Sequence, residues 1–144
     1  MSNLPIKILL VEDNEGDILL TTEALQDCKV ANELKVLRDG CEALHFLLTQ
    51  SRHSLNELPD LILLDINLPK KTGHEVLESV KNHPDLKHIP IIILTTSSSE
   101  MDIHRAYQDH ANCYIIKPLE VNDFLNVTSK IEEFWLTIAR LPRN

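Results

Sequence analysis

The chain has 144 residues, 43% of them hydrophobic and 25% charged, with a net charge of −8, the size and make-up of one domain with a core of its own. That acidic balance excludes a protein that grips nucleic acid through its phosphates, which needs a basic face. No apolar run approaches the length of a bilayer span and MSNLPIK lacks signal-peptide anatomy, so a cytoplasmic protein with no membrane partner is expected.

Residues 6–11 (IKILLV) are a short apolar run that stops at Glu12-Asp13-Asn14, which predicts a buried strand. Ile18, Leu19, Thr22 and Leu25 recur at helical spacing and predict a helix over 17–27, with Asn14 as N-cap. Residues 33–37 (ELKVL) alternate as an edge strand does, and Asp39-Gly40 breaks the chain. A second helix is predicted over 42–49, with Ala43, Leu44, Leu47 and Leu48 inward, then a long loop over 50–59. Residues 60–65 read as a strand covered on both faces, because the run is apolar without alternation. The turn through Gly73 leads to a helix over 74–82, ended by His83-Pro84. Residues 90–95 (PIIILT) are another two-sided strand, the serines 97–99 a polar break and cap, and 101–110 a helix. CYII at 113–116 is a fifth strand. A long last helix is predicted over 121–141. Five βα units in a row predict a doubly wound α/β sandwich around a five-stranded parallel sheet, one domain over 1–144 with no output module after it.

Parallel strands would bring Glu12 and Asp13, Asp65, Thr95 and Lys117 to one edge of that sheet, the carboxyl ends where open α/β sheets bind ligands. Three acids held together repel one another, and a hard divalent cation with oxygen ligands removes the conflict. Mg2+ suits this set, and no calcium-loop spacing is present. Lys117 and the Thr95 hydroxyl could then meet phosphoryl oxygens. Cys28, Cys41 and Cys113 lack metal-site or disulfide-framework spacing and read as free thiols. His74, His83, His88 and His104 read as surface residues.

LLVEDN, LILLDINLPKKTG, PIIILTTS and CYIIKP, in that order, resemble the response-regulator receiver domains, the CheY-like family, along essentially the whole chain. The tail KIEEFWLTIARLPRN, the 50–59 loop and LTTS resemble more narrowly the cyanobacterial phytochrome-associated (Rcp-type) receivers. The resemblance implies strand order 2-1-3-4-5. It implies that Asp65 accepts a phosphoryl group from a histidine kinase, here a phytochrome. Asp13, Asp65 and the backbone carbonyl of Asn67 would ligate Mg2+ (Mn2+ could substitute), with Glu12 acting through a water. Lys117 would pair with the phosphoryl group. Thr95, rather than Thr96, would hydrogen-bond it, since its spacing from Lys117 matches the family. Tyr114 takes the aromatic switch position, Pro118 the place of a cis peptide bond, and Gly73 the glycine of the loop after the acceptor.

In the last helix Val121, Phe124, Thr128, Ile131, Trp135 and Ile138 form one inward stripe. Leu125, Val127, Phe134 and Leu141 fall outside it and suggest a homodimer through the fourth helix, fifth strand and fifth helix. Two other functions fit less well. A haloacid-dehalogenase-like phosphatase also uses an Asp nucleophile and Mg2+, but wants a DxD pair at the end of its first strand. A binding-only receiver that is never phosphorylated has no need of the intact acid set with Thr95 and Lys117.

Overall fold

The computed structural model describes residues 4–28 and 30–142. Strands β1 (Ile6–Val11), β2 (Asn32–Leu37), β3 (Leu61–Leu64), β4 (Ile91–Thr95) and β5 (Cys113–Ile116) pair in parallel in the order 2-1-3-4-5. Helices α1 (Glu15–Gln26), α2 (Gly40–His53), α3 (Gly73–Lys81), α4 (Glu100–Gln108) and α5 (Val121–Ile131) cover the two faces. The fold class and strand order are those expected.

The apolar runs of the middle strands split by alternation between two cores. Leu9, Val11, Ile62, Leu64, Ile91 and Ile93 pack on one face with Ala43, Leu47, Val76, Leu77 and Ala106 from α2, α3 and α4. Ile8, Leu10, Leu61, Leu63, Ile92 and Leu94 pack on the other with Ile18 and Leu25 from α1 and Ile131 from α5. Every residue of β3 is buried, and each such Leu or Ile contributes about 1.5–3 kcal/mol on leaving water. β2 lies at the edge and alternates between exposed and half-buried residues along most of its length, as an edge strand should. Among the described residues no helix is long and apolar enough to cross a membrane.

The caps set where the helices begin. Asn14 accepts from the Asp17 amide, Asp39 from Glu42 and Ser99 from Asp102. Thr72 and Glu75 form a reciprocal capping box at the start of α3, a signal in TGHE that the sequence reading did not use. α2 runs a turn beyond its expected end, to His53. A 3-10 turn at Leu55–Glu57 then takes up part of the expected loop.

Three expectations about packing need correction. In α1 it is Thr21, not Leu19, that faces the core. Leu19 is exposed, because Ile18, Thr21 and Leu25 mark the inward stripe at three- and four-residue steps. His74 is buried, not on the surface: the first turn of α3 packs inward, and His74 shares its phase with Leu77. The last helix does not continue as one α-helix to 141. After α5 the chain is a π-helix over Glu132–Ile138, closed by the Ala139 amide donating to the Phe134 carbonyl. The wider turn shifts the inward phase. Leu136, five residues after Ile131, is buried, Trp135 is half-buried and Ile138 is exposed, while Val121, the first residue of α5, is exposed at the other end.

Candidate phosphoryl-acceptor and cation site

The ends of β1, β3, β4 and β5 deliver polar groups to the same lip. The Glu12 amide continues the ladder by donating to the Leu37 carbonyl at 3.0 Å, and its side chain turns under the sheet edge, 2% exposed. Asp13 stays exposed. The Asp65 amide donates to the Val11 carbonyl at 3.1 Å, which registers the end of β3 against β1. Lys117 follows β5, and its amide donates to the Thr95 carbonyl at 2.7 Å. These backbone bonds fix where the side chains start.

The Lys117 ammonium is the centre of the site. It donates to Asp65 Oδ2 at 2.9 Å, to Asp17 Oδ2 at 2.8 Å and to Glu12 Oε1. Burial works against its charge, but the hydrogen bonds to Asp17, Glu12 and Asp65 outweigh it and hold its pKa above the ordinary lysine range. Burial pushes the Glu12 carboxyl up to about 7, opposed by its bond to Lys117 and reinforced by the charge of Asp65. The remaining oxygens have donors too: the Asn14 amide gives to Glu12 Oε2 at 3.1 Å and the Asn67 amide to Asp65 Oδ1 at 3.0 Å.

Glu12, Asp13 and Asp65 each offer a carboxylate oxygen within 4.8 Å of the others. An all-oxygen set with a surplus of acids fits a hard divalent cation and does not fit a soft one. The strand ends carry these acids and Lys117 to one place, as their positions in the sequence predict.

Thr95 is fully buried at the end of β4, while Thr96 is exposed. The Thr95 hydroxyl accepts from the Ser97 amide at 3.4 Å. Tyr114 is half-buried and donates its hydroxyl to the Ser97 carbonyl at 2.9 Å. Asn67 is exposed. Among the described residues there is no cis peptide bond, so Lys117–Pro118 is trans, against the expectation. A tertiary amide at proline favours trans by about 0.5–1 kcal/mol, and here the chain keeps the favoured isomer.

Two features escaped the sequence reading. Asp17, an acid of the first turn of α1, reaches Lys117. Its signal was its place three residues after the Asn14 cap, on the helix end that faces the acids. The second is a polar chain behind the β4–α4 loop. His74 Nε2 lies 3.0 Å from Asp102 Oδ1, and the Ser97 hydroxyl donates to Asp102 Oδ2 at 2.6 Å. The Ser97 hydroxyl and His74 hold the Asp102 carboxyl below its ordinary pKa. A carboxylate only accepts, so His74 carries its proton on Nε2, and among the described residues its buried Nδ1 has no partner. Ser97 thus touches Thr95, Tyr114 and Asp102 at once.

Residues 8–129 match the response regulator receiver domain family. The chain belongs to that family. This receiver is 46% identical to response regulator Rcp1 of Synechocystis sp. over 141 residues, 98% of this chain and 96% of the relative. The crystal structure of the phosphorylated cyanobacterial phytochrome response regulator RcpA superposes with a TM-score of 0.91 at 47% identity, covering 96% of this chain and 99% of that one. The Mn2+-bound form of Rcp1 superposes equally well, with a TM-score of 0.91 at 46% identity, again covering 96% of this receiver and 99% of that chain. Receiver domains are signalling modules, and this one carries a cluster of three acids, Glu12, Asp13 and Asp65, where β1 and β3 end.

Proposed function

We propose that this receiver is a two-component response regulator that takes a phosphoryl group onto Asp65 from a phosphohistidine of a histidine kinase, and that this kinase is a phytochrome. The observation that carries the reading is the single lip on which Asp65, Glu12, Asp13 and Lys117 meet. An Asp65 oxygen attacks phosphorus, the P–N bond to the kinase breaks, and the imidazole leaves with a proton. Water later attacks the same phosphorus, releasing inorganic phosphate and restoring the carboxylate. The chain catalyses only these steps on itself.

Asp13, Asp65 and the Asn67 carbonyl would hold Mg2+, or Mn2+ as in the solved form of Rcp1, with Glu12 acting through a water. Bound there, the ion offsets charge on the phosphoryl oxygens. Lys117 pairs with the attached group and Thr95 hydrogen-bonds it. Since Ser97 joins Thr95 to Tyr114 and Asp102, a move of Thr95 is passed to the start of α4 and to Tyr114 on β5. The α4-β5-α5 face would then alter a homodimer contact. Exposed Met101 and Tyr107 on α4, Ile116 on β5 and Leu125 on α5 support that face. The phytochrome assignment draws on the likeness to Rcp1 and RcpA, and it sets the work in the cytoplasm.

Wild type and Asp65→Asn are incubated with Mg2+ and acetyl phosphate and weighed intact. Wild type gains one phosphoryl unit and the variant none. Equal gain in both, or none in either, rejects the reading.

A further inference from the structure

A lysine ammonium has three protons. At Lys117 all three go to carboxyl oxygens, of Glu12, of Asp17 at 2.8 Å and of Asp65 at 2.9 Å. When Asp65 becomes an acyl phosphate, its carboxylate charge disappears and the phosphoryl oxygens carry charge instead. The proton aimed at Asp65 is the one placed to meet them. The other two keep their partners.

We propose that Asp17 is a positioning residue for phosphoryl capture: with Glu12 it pins the Lys117 ammonium so that its third proton points at Asp65 and at the group Asp65 takes on. This rests on the reading of Asp65 as the phosphoacceptor. A four-carbon stem held by fewer partners samples more rotamers, and ordering it costs entropy. Asp17 is well placed to hold it. The α1 N-cap fixes its backbone, with the Asp17 amide donating to Asn14 Oδ1 at 2.9 Å. Its side chain is 23% exposed, against 78% for Glu15, two residues earlier in the same first turn. An acid serving only the helix dipole needs no such burial.

Two measurements on the full chain test this. The first reads the Lys117 ammonium 1H–15N resonance, assigned by its loss in Lys117→Arg. It persists in wild type and Asp17→Glu and broadens away in Asp17→Ala and Asp17→Asn as the protons exchange with water. The second is the phosphorylation rate with Mg2+ and acetyl phosphate. In Asp17→Ala the maximal rate falls roughly fivefold at an unchanged half-saturating donor concentration, and Asp17→Glu restores it. An unchanged resonance in Asp17→Ala overturns the proposal. So does a rate that rises, which would make Asp17 a charge that merely repels the donor. A wild type that takes up phosphoryl while Asp17→Ala matches it in rate overturns this inference alone. A wild type that never takes up phosphoryl overturns it together with the reading of Asp65.

Discussion

Glu12 shows how far a residue's chemistry follows from where it is buried. An unfolded glutamate ionises near 4.5, whereas folded Glu12 keeps its proton up to about 7. Between those values the folded chain binds more protons than the unfolded one, so stability falls as pH rises through that window. Glu12→Gln removes the effect and still accepts from Lys117. In metal-free buffer it should therefore raise stability by roughly 1–2 kcal/mol at pH 8 and change little at pH 5. Thermal unfolding across pH checks this, and a loss of stability at pH 8 would contradict it. Residues of this kind were readable in the sequence when a strand end announced them. Asp65 closes LILL, and Lys117 follows CYII. Asp17 and His74 were not, because each acts from the first turn of a helix, where an acid has a ready explanation in the dipole and a histidine in exposure. Only the packing of that turn tells which way the side chain points.

At the level of elements, the loop after β3 is held by a close approach of backbone to backbone. A Cβ on Gly73 would lie 2.2 Å from the Asp65 carbonyl oxygen and 2.6 Å from Ile66 Cα. Gly73→Ala must push the start of α3 away from the acceptor, at a cost of about 1–3 kcal/mol. Urea unfolding should show that loss, and acetyl-phosphate uptake should slow with it; a variant as stable as wild type would refute the contact. The C-terminal helix makes a different point. Its length and apolar content were legible, but its phase was not, because the reading assumed one α-period throughout. In the π-helix, Leu136 faces the second core and Ile138 does not. Leu136→Ala should cost about 2–4 kcal/mol, and Ile138→Ala less than about 0.5 kcal/mol. The reverse order, with the larger loss at Ile138, would mean that an ordinary α-helix continues to that end.

The whole fold was the most legible level. Two-sided apolar runs at β3 and β4, an alternating edge at β2 and helical patterns between them leave few topologies for a parallel sheet. That topology alone sets Glu12, Asp13, Asp65, Thr95 and Lys117 along one edge. What the pattern could not supply is the wiring behind that edge. Ser97 and Asp102 lie in a polar stretch with no period to read, yet they join the site to α4, while the Tyr114 hydroxyl joins it to β5. Asp65 is the proposed acceptor of the phosphoryl group, and borohydride tests that directly. Reduction of the protein after incubation with Mg2+ and acetyl phosphate turns an aspartyl phosphate into homoserine, which peptide mapping locates. Homoserine at position 65 and nowhere else is the predicted result; homoserine at Asp13 or any other acid, or its absence from a chain that has gained phosphoryl mass, would contradict it.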